Sequence, residues 1–139
     1  MNEATRVMHE WFERVWNQGD EGAIHELMPA HALFHGLPSG DASGPSGPAG
    51  FIPYFRMFRT AVPDLHVEIL RTVAEGERVA VHCRVTGTHT GPGLSERISG
   101  ARVCFEGMVF GDVREGQIHE GWNLFDSMAL NSQISAGPG

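Results

Sequence analysis

Two carboxylic acids near the end of the chain, Asp126 and Glu106, are the residues that we expect to carry out chemistry. Asp126 ends the predicted strand GQIHEGWNLFD, in which Trp122 and other apolar residues are its neighbours. Burial of an unpaired carboxylate raises its pKa, and a carboxyl group with a raised pKa can transfer a proton near neutral pH. The sequence therefore predicts general acid-base chemistry, with Asp126 as the principal group.

The partnership of Glu106 with Asp126 depends on the register of the last predicted hairpin. A three-residue turn at residues 114–116 places Met108 opposite Trp122 and makes the two carboxylates diagonal neighbours on one face of the sheet. Carboxylates in that position share a proton or separate their pKa values, which leaves one as acid and the other as base. Two simpler interpretations stay open: Glu106 exposed at a sheet edge, and Asp126 as the N-cap of a short C-terminal helix.

Six side chains are candidates for shaping a substrate pocket. Two are histidines, one after an apolar strand and one within the polar segment GTHTG, and each has a structural or surface role as its alternative. The other four are large side chains that can contact an apolar ligand or simply pack in the core. The six are His35, His89, Trp16, Tyr54, Met108 and Trp122.

Composition and motifs exclude several classes of protein. All ten basic residues are Arg, the acidic residues number 17, and the formal net charge of -7 disfavours nucleic acid and anionic membranes as partners. The chain has no apolar run long enough to span a membrane and no signal-peptide pattern, so we expect a soluble, cytoplasmic protein. Motifs of serine hydrolases, NTPases, zinc proteases and dinucleotide-binding proteins are absent, and we expect neither a metal nor a cofactor. Cys83 and Cys104 are expected to be reduced, buried thiols.

The order of the predicted elements indicates an α+β fold. Apolar residues at helical spacing predict helices over residues 2–18, 20–28 and 48–61. A short strand is predicted at 30–35, and from residue 65 onwards alternation predicts four long strands joined by hairpin-like turns. Helices followed by such a meander are typical of a curved antiparallel sheet that three N-terminal helices cover, with an internal pocket between the two layers.

The chain is expected to form a single domain over residues 1–139, with residues 131–139 as a frayed tail. The segment GLPSGDASGPSGP, residues 36–48, is too rich in Gly, Pro and Ser to form a regular element. We predict that it is a long loop that borders the binding site.

Six segments resemble, in order and spacing, the SnoaL-like polyketide cyclases, including the ester cyclase subgroup, of the superfamily similar in fold to nuclear transport factor two. They are VWNQGD, FHGLP, FRTAVPDL, GTHTG, ISGARVCFEGMVF and GQIHEGWNLFD. The resemblance covers nearly the whole chain. It implies a cone-shaped α+β barrel with an internal pocket, a homodimer, and acid-base catalysis without a cofactor.

In the characterised cyclases, an Asp at the end of the last strand is the general acid/base of an intramolecular aldol ring closure, and that Asp matches Asp126. The family's assisting His has no counterpart here, because the matching region holds Met108 or Glu106. The resemblance leaves Glu106, His35 or His89 as substitutes for that His.

The resemblance implies a cofactor-independent acid-base enzyme acting on a small hydrophobic substrate that contains a carbonyl group or a ring. One alternative is an epoxide hydrolase, because the chain also resembles the limonene epoxide hydrolases, whose last-strand Asp matches Asp126. A second alternative is a non-catalytic module for small-ligand binding or dimerisation, since fold alone does not fix function.

Overall fold

The computed structural model describes residues 1–37 and 46–137, and the central part of the predicted loop at 36–48 lies outside these residues. Four α-helices, one π-helix and five strands make up the described fold. In chain order they are α1 (Glu3–Glu10), the π-helix (Trp11–Asn17), α2 (Glu21–Leu27), β1 (Leu33–His35), α3 (Gly47–Ala61), β2 (His66–Glu75), β3 (Arg78–Thr88), β4 (Arg102–Arg114), β5 (Gln117–Phe125) and α4 (Ser127–Ala136).

The five strands form one sheet in the order β1-β5-β4-β3-β2. All neighbouring pairs are antiparallel except β1 and β5, which are parallel. The predicted α+β class with a curved sheet is confirmed, but the barrel is open, because the described part of the chain does not pair β1 with β2. Buried and exposed residues alternate along β3 and β4, as expected of a sheet with one face against the core.

The first predicted helix, residues 2–18, changes its winding halfway. It is a regular α-helix to Glu10 and a π-helix from Trp11 to Asn17. The carboxamide of Asn17 then fastens the helix end to the edge strand β2, because it accepts the N–H of Val67 at 2.6 Å and donates to the Val67 carbonyl oxygen at 3.0 Å.

The last hairpin has a shorter turn than the sequence predicts. Glu115 and Gly116 have φ values of 53° and 75°, and a two-residue turn with positive φ at both positions is the usual connection of such hairpins. The turn pairs Arg114 with Gln117, one residue away from the predicted register, and an irregularity between Asp112 and Val113 adds a second residue to the shift. The expected pairing of Met108 with Trp122 is therefore wrong: Met108 pairs with Leu124, and Trp122 pairs with Phe110.

The C-terminal segment is a helix where a frayed tail was expected. Helix α4 runs from Ser127 to Ala136 and buries Leu130 and Ile134. The side chain of Gln133 accepts the N–H of Cys104 and donates to its carbonyl oxygen, both at 2.8 Å, which fixes the helix to the edge of the core sheet. No helix in the described ranges combines the length and the apolar character that crossing a membrane requires.

The two cysteines lie on opposite faces of the sheet. Cys83 is buried, and this burial raises the pKa of its thiol to about 11. Cys104 is exposed, so the expectation of two buried thiols is correct for Cys83 alone. The side chain of Cys104 lies on the outer face because β4 alternates there between exposed and buried residues.

Candidate active site

A cavity of about 590 Å³ lies between the inner face of the sheet and the helices that cover it. The helices contribute mainly aromatic side chains to its lining, among them Trp11, Phe12, Trp16, Phe51, Tyr54 and Phe58. The sheet contributes Val109 and Phe125, and the connection between β3 and β4 contributes Leu94. Volume and lining fit a small, largely apolar organic molecule.

The π-helix explains why one short segment supplies three of these aromatic side chains. Trp11, Phe12 and Trp16 all lie within its seven residues and all line the cavity. The ring of Trp16 packs edge-on against Phe51, Tyr54 and Phe58 of α3, with centroids 5.9 to 6.2 Å apart. One wall of the cavity is thus a network of rings whose positions depend on one another.

Tyr54 is one of the few polar side chains in this lining and was predicted from the sequence. It is 7% exposed, and burial raises the pKa of its phenol to about 12. The hydroxyl group is therefore protonated at neutral pH and can donate a hydrogen bond to a ligand oxygen. Trp16, the other aromatic residue predicted to contact a ligand, also lines the cavity.

Asn123 is a second polar group in the cavity, and the sequence analysis missed it. Its amide N–H donates to the carbonyl oxygen of His35 at 3.0 Å, which orients the carboxamide. Asn123 is on the inner face of β5 together with Gly121 and Phe125, which also line the cavity. Because the sequence predicted Trp122 as a pocket residue, alternation along the strand placed Asn123 on the outer face, and the structure has the two the other way round.

The predicted acid-base pair lies outside the cavity. Glu106 and Asp126 both border a shallow depression of about 360 Å³ on the outer face of the sheet. The side chain of Asp126 accepts the N–H of Ala129 at 3.0 Å, which makes it the N-cap of α4. Glu106 is half-exposed and contacts Nε2 of His82 at 2.6 Å. Their roles in catalysis stay predictions; of the apolar residues around them, Met108 and Leu124 border the same depression and are themselves exposed.

Three of the predicted pocket residues are also on the outer face. His35 contacts Glu120 at 2.7 Å and stacks on Trp122 with ring centroids 5.4 Å apart. Met108 is more than half exposed and borders the same outer depression as Glu106. None of His35, Met108 and Trp122 is among the residues that line the cavity.

His89, the remaining predicted pocket residue, is fully buried at the base of the connection between β3 and β4. Its Nδ1 accepts the N–H of Ser99 at 3.2 Å and contacts the Ser99 hydroxyl at 2.8 Å. Its own backbone N–H donates to the carbonyl oxygen of Ala101 at 2.9 Å. His89 therefore closes the connection that carries Leu94 into the cavity, and it does not line the cavity itself.

Charged side chains are missing from the cavity lining that the structure describes: it contains no Asp, Glu, His or Arg. Within residues 1–37 and 46–137, no group of three or more His, Cys, Asp or Glu side chains is placed to hold a metal ion. The polar chemistry available in the described lining therefore comes from neutral side chains, those of Tyr54, Asn123, Ser127 and Asn131.

Comparison with known families identifies the class of protein. The family model for SnoaL-like polyketide cyclases matches residues 6–134, which is nearly the whole chain. The protein belongs to the SnoaL-like polyketide cyclase family, as the resemblance in its sequence implied. Membership supports a cyclase-like role, whereas the search of curated proteins returned no match.

Solved structures agree on the fold. IdmH, a candidate polyketide cyclase from Streptomyces antibioticus, is 23% identical with a TM-score of 0.82, over 95% of this chain and 98% of that chain. A candidate SnoaL-like cyclase from Jannaschia sp. CCS1 is 25% identical with a TM-score of 0.81, over 98% and 94%. AclR, a candidate hydroxylase from Streptomyces galilaeus, is 23% identical with a TM-score of 0.79, over 98% of both chains. At such identities the likeness establishes the fold and leaves the reaction open.

Proposed function

We propose that this protein is a cofactor-independent cyclase-like enzyme that takes a small, predominantly apolar, carbonyl-containing substrate into the cavity. The observation that carries the proposal is the aromatic cavity of about 590 Å³, in which the phenol of Tyr54 and the carboxamide of Asn123 are set among apolar side chains. An apolar pocket with a few fixed polar groups binds a ligand through its hydrophobic surface and orients it through the polar groups.

Ring closure by aldol addition needs a stabilised negative charge on oxygen. A base removes a proton from the carbon next to one carbonyl group, the resulting enolate carbon bonds to a second carbonyl carbon, and the new alkoxide takes up a proton. Tyr54 is suited to stabilising the enolate oxygen because its phenol, with a pKa raised to about 12, keeps its proton at neutral pH. Asn123 would orient the other carbonyl group through its amide.

Asp126 is our proposal for the group that transfers the proton. Its two chain neighbours, Phe125 and Ser127, both line the cavity, whereas Asp126 itself borders the outer depression, so the proposal requires a substrate that reaches past Phe125 to the carboxylate. One of its oxygens caps α4, and the second is left to exchange a proton with a substrate. Glu106, which borders the same outer depression, would be its partner.

The proposal is tested with a panel of aromatic β-keto esters that can close a ring by intramolecular aldol addition. Asp126→Asn preserves the helix cap, since Asn is as good an N-cap as Asp, and we expect it to lower turnover roughly 100-fold with an unchanged melting temperature. Tyr54→Phe is expected to lower turnover while the fold is retained. Full turnover in folded Asp126→Asn would remove Asp126 from the mechanism, and full turnover in both variants would contradict the proposed site.

A second function, binding of an apolar ligand without turnover, is favoured by the neutral lining of the described cavity. Ligand binding with no product from any member of the panel would select it over the enzyme. Epoxide hydrolysis is the alternative from the resemblance, and incubation with epoxides in labelled water would reveal it as labelled diol. No described lining residue supplies the carboxylate or guanidinium of an epoxide hydrolase relay.

We also propose that the protein is a homodimer joined through the outer face of the sheet, and that it acts in the cytoplasm. Five exposed large apolar side chains share this face: Val73, Met108, Phe110, Trp122 and Leu124. Contiguous apolar surface of this kind, rimmed by charged side chains, is typical of a protein interface. The rim carries both signs of charge, with Arg84 near Glu68 and Arg78 near Asp112, as a surface that pairs with its own copy requires.

A further inference from the structure

Two glycines face one another across β4 and β5 on the inner side of the sheet. Gly111 is the Cα partner of Gly121, and both line the cavity. In the same row, Phe34 of β1 lies beside Gly121 and Val79 of β3 lies beside Gly111. The row therefore has side chains at each end and bare backbone over the two strands between them.

The backbone does not require glycine at either position. Neither residue has a positive φ. Among the described residues, the nearest atom to a Cβ on Gly121 would be the carbonyl oxygen of Phe110 at 3.9 Å, so the Cβ would project into the cavity without a close contact. A Cβ on Gly111 would meet the Sδ of Met8 at 3.4 Å, which is an ordinary van der Waals contact.

Gly107, also in β4, is a glycine that core packing does require. A Cβ there would overlap the ring of Phe125, so that position must stay bare for the core to form. The irregularity of the hairpin does not explain the other two glycines either. The register shifts between Asp112 and Val113, one residue beyond the regular pair of Gly111 and Gly121.

Glycine inside a strand weakens it, and where the fold does not need it, glycine often marks a place where a ligand approaches the backbone closely. We infer that Gly121 is the floor of a flat subsite that takes a planar ring system of the substrate, laid against the backbone of β5. Gly111 extends this floor towards Met8, whose side chain closes the subsite on that side. The inference rests on the proposed function, because it supposes that the cavity holds an apolar carbonyl compound.

The subsite discriminates by shape. A flat ring can approach bare backbone to about 3.5 Å, whereas a side chain on Gly121 would occupy that layer. Asn123 lies two residues further along the same face of β5, roughly 7 Å away along the strand. A fused ring system lying on Gly121 would thus reach the carboxamide of Asn123 with an oxygen substituent at its edge. A flexible alkyl chain has no need of the flat layer and can bend around a small obstruction.

The test compares a planar and a flexible ketone, 9-fluorenone and 2-undecanone, by isothermal titration calorimetry. We expect the wild-type protein to bind both. Gly121→Ala should weaken 9-fluorenone binding at least tenfold, and Gly121→Val more, while 2-undecanone stays within threefold of the wild type. Gly111→Ala should weaken 9-fluorenone binding less, because the added methyl group would lie beside the side chain of Met8, which already limits the space there. Ala80→Val adds bulk to the outer face of β3 and should change neither affinity.

Thermal unfolding of each variant accompanies the binding data, and Gly121→Ala should melt no lower than the wild type. Unchanged 9-fluorenone binding in folded Gly121→Ala and Gly121→Val would overturn the subsite but leave the proposed function intact. Loss of both ketones by the same factor, or a Gly121→Ala variant that does not fold, would also overturn it, because the glycine would then serve general packing. A wild-type protein that binds neither ketone would contradict the proposed function itself.

Discussion

Asn123 and Asp126 are three residues apart, yet Asn123 lines the cavity and Asp126 borders the depression on the outer face of the sheet. The last strand ends between them, at Phe125, and Asp126 turns away to cap α4. The polar side chain of this strand that lines the cavity is thus an amide, and the carboxylate three residues further on caps a helix. A mutation of Asp126 can therefore act through stability as well as through chemistry, and the two effects must be separated.

Removal of the cap by Asp126→Ala should lower the free energy of unfolding by about 1 kcal/mol, because the N–H of Ala129 loses its partner. Asp126→Asn should retain most of that free energy, since the amide oxygen can accept the same hydrogen bond. Urea unfolding followed by circular dichroism measures both. Equal losses in the two variants would show that the charge of Asp126, and not its cap, stabilises the helix.

Tyr54 is the single tyrosine of the chain, so its ionisation can be followed directly by absorbance at 295 nm. In the folded protein the midpoint should be near pH 12, because burial raises the pKa of the phenol to about 12. In guanidinium the midpoint should return to about 10, the value of a solvated tyrosine. A folded midpoint near 10 would show that the phenol is open to bulk water and would remove it as a buried hydrogen-bond donor.

The same shift predicts how stability changes in alkali. The folded state holds the Tyr54 proton more tightly than the unfolded state, so the contribution of this group is complete below pH 10. It is lost as the pH rises from about 10 to about 12. Tyr54→Phe should lack this dependence, and its free energy of unfolding should fall less steeply than that of the wild type over this interval.

The order of elements up to the last strand, the α+β class and the family were predictable from the sequence, because each depends on periodicity and on segments that are continuous in the chain. The sequence did not reveal which face of the sheet packs against the helices. Along β4, Met108 and Phe110 point outward while Phe105 and Val109 point inward, so both faces of the strand are apolar. The inner face of β4 also includes Gly111. Because glycine has no side chain, it makes the inner face look less hydrophobic in the sequence, although the space that it leaves helps to form the cavity.

The register of the last hairpin was hidden for a different reason. Glu115 has a positive φ, a conformation that residues other than Gly, Asn or Asp adopt at a cost in free energy. A glutamate therefore does not indicate a two-residue turn at this position. The sequence suggested instead that Gly116 alone had the left-handed conformation. The turn and the irregularity between Asp112 and Val113 together move the pairings from Asp112 to Gly107 by two residues, which changes the cross-strand neighbours of each side chain.

Asn17 should be a determinant of stability, because its carboxamide pairs with both backbone groups of Val67 on the edge of the sheet. Asn17→Ala is expected to lower the free energy of unfolding by about 1–2 kcal/mol, since a partly buried donor and acceptor would lose their partners. Its exposed neighbour offers a matched control: Gln18→Ala should change the free energy by less than about 0.5 kcal/mol. Similar small effects in both variants would show that water replaces Asn17 at the sheet edge.

The proposed dimer can be tested at Leu124, which is 75% exposed on the outer face. Leu124→Glu places a charge in the apolar interface and should convert the protein to a monomer in light scattering after size exclusion. Ile98→Glu, which alters an exposed apolar residue in the connection between β3 and β4, is the control and should stay dimeric.

Because Leu124 borders the outer depression and is not part of the cavity lining, its replacement should leave ligand binding nearly unchanged. The dimer interface at Leu124 and ligand binding in the cavity would then be separable. A monomeric wild-type protein would refute the proposed dimer but would not contradict the proposed role of the cavity. A dimeric Leu124→Glu variant would move the interface elsewhere, and the apolar outer face would then require a different partner.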